Sequence, residues 1–153
     1  MYDAYLCLRD VKPQNTPSGA FWSAAWRRRD LTEEQADPHE ICTLLAHQFV
    51  LAPGTYRAMI SCPAYRVNQH QARLQNVTGG ATLLLGTCAR AHSTAYDNSR
   101  SVIAGRFTIA AAQTLEIQHR CVTDYDSFGF GYRCNFTDEI YTIAEFWREI
   151  EEE

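Results

Sequence analysis

Apolar and polar residues alternate with period two through most of the chain. In Thr114–Cys121 (TLEIQHRC), Leu115, Ile117, His119 and Cys121 fall on one face, and Thr114, Glu116, Gln118 and Arg120 on the other. A strand with one buried side has this pattern. Tyr5–Val11, Ala20–Arg27, Thr55–Cys62, Asn68–Val77, Ala81–Cys88, Ser101–Ala110, Gly129–Phe136 and Ile140–Trp147 also read as strands. Pro38 interrupts Leu31–Leu45, which predicts mostly loop with a short strand near Ile41–Leu44. Turn signals such as Pro53-Gly54 and Gly79-Gly80 recur every roughly 8–12 residues, the spacing of an all-β sandwich or barrel.

The last predicted strand differs from the others. Ile140, Thr142, Ala144 and Phe146 lie on one side, and Tyr141, Ile143 and Trp147 on the other. Both sides carry large apolar groups, whereas a strand in an isolated sandwich normally has one wet face. The second face requires a covering loop or another subunit.

The 153 residues suit one domain. Residues 1–47 are irregular, 48–149 carry the regular strands, and 150–153 form an acidic, solvated tail. Net charge is −4 and the pI is about 5.7, which argues against nonspecific nucleic-acid binding and leaves room for a local basic patch; no nucleic-acid partner is expected. No apolar run approaches the ~20 residues of a membrane-inserted helix. The opening MYDAYLCLRD lacks the apolar core of a secretory signal, so folding in a cytosol is expected. Six cysteines without a Cys-x-x-Cys pair are then expected as reduced thiols. One pairing stays open: Cys121 and Cys134 flank a Gly-rich turn and would face each other if it closes a hairpin.

Candidate chemistry is sparse. His119 and Cys121 could supply two metal ligands or a nucleophile and its base, or simply pack in a sheet. No His-x-His pair, Gly-x-Ser-x-Gly elbow or phosphate-binding glycine loop accompanies them. The expectation is therefore no enzyme and no cofactor. Thirteen of the fourteen basic residues are arginines. The run Arg27, Arg28 and Arg29 either grips an acidic partner surface or is a solvated loop near Glu33 and Glu34.

In order along the chain come Pro63-Ala64-Tyr65, Asn68-x-His70-x-Ala72-x-Leu74-x-Asn76, Leu85-Gly86-Thr87 and Gly105-x-Phe107-Thr108. Leu115 to Arg120, Gly129-Phe130-Gly131 and Glu139-Ile140-Tyr141-Thr142 with Glu145 and Trp147 follow. This succession resembles a recurrent bacteriophage virion module, over about Gln48 to Glu149. Such modules look like the jelly roll of tumour necrosis factor and the complement globular head. The resemblance implies an all-β antiparallel jelly-roll sandwich that assembles as a homotrimer about a threefold axis. It implies no catalytic residues. Tyr65, His70, Leu115, Ile117, His119, Tyr141, Ile143, Phe146 and Trp147 are then expected in the core or trimer interface. The expected role is a capsid decoration (cement) protein on the virion surface, assembled in the host cytoplasm and bound to the major capsid protein. The N-terminal residues or Arg27, Arg28 and Arg29 would make the contact. The alternative is a tail-fibre or spike tip that binds a glycan or protein receptor on the host surface.

Overall fold

The computed structural model describes residues 1–151. The twelve strands are β1 (Tyr2–Lys12), β2 (Arg27–Arg28), β3 (Glu33–Ala36), β4 (Cys42–Leu45), β5 (Gln48–Leu51), β6 (Gly54–Tyr65), β7 (Asn68–Asn76), β8 (Ala81–Leu85), β9 (Ala89–Ala91), β10 (Asn98–Ile109), β11 (Gln113–Cys121) and β12 (Glu139–Glu149). They form two sheets with antiparallel pairing throughout. The first runs β10-β6-β12-β1-β3; the second runs β4-β5-β11-β7-β8, with β2 also beside β11 and β9 beside β7.

The register explains the core. Across the first sheet, Leu8, Ala144, Ile60 and Ile103 form one inward row, and Ala4, Arg148, Tyr56 and Phe107 another. Leu6 and Phe146 form a pair between them. From the second sheet, Phe49, Leu51, Ala72, Leu74, Leu115 and Ile117 meet these rows. Thirteen of these side chains, among them Leu6, Ile60, Phe146 and Ile117, have no exposed surface at all. Burying a side chain of this size is worth about 1.5–3 kcal/mol, so this shared layer holds the sheets together. A smaller cluster of Phe21, Ala64, Val67, Ala91 and Cys121 closes one end of the sandwich.

Two predicted strands are not strands. Gly129–Phe136 is a loop, because its amides find other acceptors. The Glu139 carboxylate accepts from the backbone N–H of Cys134 (2.8 Å), Asn135 (3.0 Å) and Asn15 (2.9 Å). A carboxylate that takes three amides leaves little for a sheet ladder. The proposed Cys121–Cys134 hairpin therefore does not form, and both residues are free thiols. Cys121 is buried and donates to the Thr123 carbonyl, while Cys134 is exposed. Ala20–Arg27 is likewise no continuous strand. Phe21 makes an isolated bridge to Tyr125, the chain turns through Ala24 at φ 76°, and only Arg27–Arg28 rejoins the sheet.

Leu31–Leu45 holds one strand more than expected. β3 precedes Pro38, and β4 follows a turn in which Asp37 accepts from the amides of Ile41 and Cys42. Of the tail at 150–153, Ile150 and Glu151 are exposed; Glu152 and Glu153 lie outside the described residues.

Candidate functional site

Two features stand out: the outward face of the first sheet and a buried arginine centre.

The outward face follows from the same register. One row reads Arg9, Ile143, Ser61 and Val102, the next Cys7, Glu145, Met59 and Ala104, and the third Tyr5, Trp147, Arg57 and Arg106. Among the described residues much of this face is left partly open, although Cys7 is buried. Met59 is 42% exposed, and Ile143 and Trp147 are half-buried. Tyr5 packs its ring at 5.5 Å from Trp147 and donates its hydroxyl to Glu145 at 2.5 Å. Burial and the Glu145 carboxylate both push the Tyr5 phenol well above its ordinary pKa of 10. Four of these twelve residues are charged, Arg9, Arg57, Arg106 and Glu145, and beside them Trp147, Tyr5, Ile143, Val102 and Met59 make an apolar patch of the kind that forms the core of an interface.

The arginine centre lies at the opposite end from Met1, between the sheets. Arg29 is only 1% exposed, held by its amide on the Ile117 carbonyl, where the chain leaves β2. Among the described residues, its guanidinium has no carboxylate partner. Nε donates to Thr142 Oγ1 (2.7 Å), Nη1 to the Pro63 carbonyl (2.7 Å) and to His119 Nδ1 (2.9 Å), and Nη2 to the Phe130 carbonyl (2.8 Å). The Phe130 ring lies 4.8 Å from its Cζ. One side chain thereby ties together β6, β11, β12 and the loop after β11. The loop reaches it because Gly129 lies against Phe21, where a Cβ would collide with the Phe21 side chain, and Gly131 takes φ 135°.

A guanidinium can only donate, and this sets every proton beyond it. His119 Nδ1 must accept, so its Nε2 carries the hydrogen and donates to His70 Nδ1 at 2.8 Å. His70 Nε2 must then be protonated and donates to Ser99 Oγ at 2.8 Å, and Ser99 donates to the Arg90 carbonyl at 2.8 Å. Both imidazoles are held neutral. Burial, then the Arg29 charge, lowers His70 to about 4; burial, Arg29 and His70 depress His119 as well. Ser99 and His70 have the spacing of a nucleophile and its base, but the polarity is reversed. The nitrogen facing the serine already holds a proton, so it cannot take one.

The sequence-predicted residues separate clearly. Leu115, Ile117 and Phe146 are core. His70 and His119 belong to the arginine centre. Tyr65 and Tyr141 are buried near the same end, Tyr65 against Tyr125 and Tyr132, Tyr141 with its hydroxyl on the Thr16 carbonyl. Ile143 and Trp147 alone lie on the outward face. Arg29 corrects the reading of Arg27, Arg28 and Arg29 as a surface cluster, since it is interior; Arg27 bonds the Trp22 and Ser23 carbonyls and Arg28 is exposed. Arg29 had no signal in the sequence, because an arginine inside an Arg-Arg-Arg run looks solvated. Among the described residues, no three His, Cys, Asp or Glu side chains are arranged to hold a metal, and no helix is long and apolar enough to cross a membrane.

No protein-family model matches the chain, and no curated protein matches it by sequence. Solved structures do. Eiger TNF from S. frugiperda is similar with a TM-score of 0.63 at 13% identity, over 99% of this chain and 96% of that one. The globular domain of zebrafish complement 1qA protein gives 0.60 at 10%, over 98% and 100%. PRD1 vertex protein P5 gives 0.57 at 10%, over 98% and 99%. These likenesses establish the fold: the antiparallel jelly roll of tumour necrosis factor and the complement globular head, as the ordered motifs imply.

Proposed function

We propose that the chain is a non-enzymatic virion structural protein, a homotrimer that decorates a phage head shell by binding and stabilising its major capsid protein. The observation that carries this reading is the partly exposed apolar patch on the outward face of the first sheet. Three copies packed about a threefold axis would bury Met59, Val102, Ile143 and Trp147, which one chain leaves open. The fold's occurrence in a vertex protein supports a place on a virion. The inverted polarity of Ser99 and His70 leaves that pair without the free base a nucleophile needs. The shell contact falls at the end of the sandwich that holds the N-terminal residues. There an open cleft of about 1140 Å³ is lined by Met1, Asp3, Arg106, Arg148 and Glu149.

A second reading, a receptor-binding tip of a tail fibre or spike, is favoured by the other end. Its loops expose Trp22, Tyr96, Tyr132 and Phe136, and exposed aromatics are common anchors for glycans and proteins. The test is binding of the labelled protein to phage shells that lack it and, in parallel, to intact host cells. Saturable binding to shells alone supports decoration. Saturable binding to cells alone overturns it in favour of the tip.

A further inference from the structure

Charge is segregated in this molecule. Among the described residues, the ion pairs are Arg9–Glu33, Lys12 with Asp10 and Asp30, Arg106–Glu149 and Arg148–Asp3. None lies on the outward face of the second sheet. There the register sets Arg28, Gln118 and Arg73 in one row, Arg120 and Gln71 in the next, and Gln69 and Arg90 beyond. Among the described residues, the guanidiniums of Arg28, Arg90 and Arg120 have no protein partner. Arg73 donates only to the neutral Gln118 amide at 2.8 Å and lies 4.1 Å over the Trp26 ring. The strands of this sheet contain one acid, Glu116. It is 9% exposed and already accepts from the Gln48 and Gln118 amides. Burial first, and then the Arg120 charge, lower the pKa of Arg73, and Glu116 partly offsets them.

Beside the arginines lies an apolar cleft of about 330 Å³, bounded by Trp26, Gln69, Gln71, Cys88, Arg120 and Val122. This is the small end of the range for ligand clefts. Its indole, covered on one face by the Arg73 guanidinium, lines the cleft with an apolar ring. Gln71 donates to the Gly86 carbonyl, which leaves its amide oxygen free to accept.

We propose that this face binds an acidic polysaccharide, with one sugar ring in the Trp26 cleft and carboxylate or sulfate groups on Arg73, Arg90, Arg120 and Arg28. The chemistry of each part fits. A pyranose stacks its C–H face on an aromatic ring, glutamine amides match hydroxyls as donors and acceptors, and guanidinium pairs bidentately with carboxylate or sulfate. The four arginines span roughly 15 Å across the strands and 14 Å along them. That spread suits a polymer with spaced charges rather than one small anion. The face points away from the outward face of the first sheet, so a trimer built on that face leaves it open. The inference goes beyond the virion role and stands whether the chain sits on a shell or a fibre.

The test is calorimetric titration of the full chain with heparin fragments (sulfated), hyaluronan (carboxylate only), dextran (neutral) and duplex DNA, at low and physiological salt. The expected result is saturable, salt-sensitive binding of heparin or hyaluronan and none of dextran. The double variant R90Q/R120Q changes two exposed side chains without protein partners, so its melting temperature should hold while its affinity falls roughly tenfold or more. Attaching a bulky thiol reagent to Cys88, in a C134S background, should also abolish binding by filling the cleft. The proposal is overturned by absence of saturable binding to both acidic glycans, by undiminished affinity in R90Q/R120Q, or by tighter binding of DNA than of heparin.

Discussion

His119 Nδ1 accepts a hydrogen bond from the Arg29 guanidinium at 2.9 Å. That contact orders a chain of donors from the centre of one end of the sandwich out to Ser99, and it makes Arg29 the most consequential polar residue of the fold. Arg29→Ala would strand the Pro63 and Phe130 carbonyls, the Thr142 hydroxyl and the His119 nitrogen inside the protein. The expected loss is about 3–5 kcal/mol, a large share of the ~5–15 kcal/mol typical of a domain. Arg28→Ala, one residue away but exposed, should change stability by less than about 0.5 kcal/mol. Urea unfolding of both variants makes the comparison.

Acid should undo the same centre. The folded-state pKa of His70, about 4, lies below its ordinary value of 6.5, and that of His119 is depressed too. Between these values the unfolded chain binds protons that the folded chain refuses. The contribution is therefore complete above pH 6.5 and is lost as pH falls toward 4, with His70 alone accounting for roughly 3 kcal/mol. Glu139, held below the ordinary carboxylate range by the amides it accepts, acts in the same direction only at lower pH. Melting temperature measured from pH 7 to 5 should fall, and His70→Asn should flatten that slope.

Much of this fold was legible in the alternation of apolar and polar residues. Leu115, Ile117 and His119 were readable as one inward face because period two leaves a strand few other options. The two-sided apolar character of Ile140–Trp147 also survives, with Phe146 in the core and Trp147 outside it. Long-range polar contacts were illegible. Gly129–Phe136 alternates like a strand, but Glu139 captures its amides from a separate element. Arg29 reads as solvated among its neighbours, and its partners lie 34 to 113 residues away. Hydrophobic pattern reports burial along one strand; it says nothing of which distant acceptor completes a buried donor.

The thiols make a direct check on the loop geometry. Cys88 and Cys134 are exposed, whereas Cys7, Cys62 and Cys121 are buried. Burial pushes the Cys62 thiol up to about 11 and that of Cys121 to about 12. Native protein should therefore show two fast-reacting thiols by Ellman titration, at Cys88 and Cys134, and the buried thiols only after unfolding. Reduction should not change its melting temperature.

Assembly through the first sheet predicts a position-specific effect. Ala104 is exposed and sits opposite Met59 on the outward face. Ala104→Arg places a long cation where a single chain has open solvent but a neighbouring subunit would need an apolar contact. It should leave monomer secondary structure intact by circular dichroism while breaking the oligomer.

Sedimentation equilibrium of the wild-type chain at micromolar concentration tests the central claim most directly. The expected mass is three times the 17.4 kDa of one chain, falling to a single chain mass in Ala104→Arg. A wild-type protein that sediments as a monomer would contradict the assignment of this sheet face to a threefold interface, and with it the reading as a trimeric shell protein.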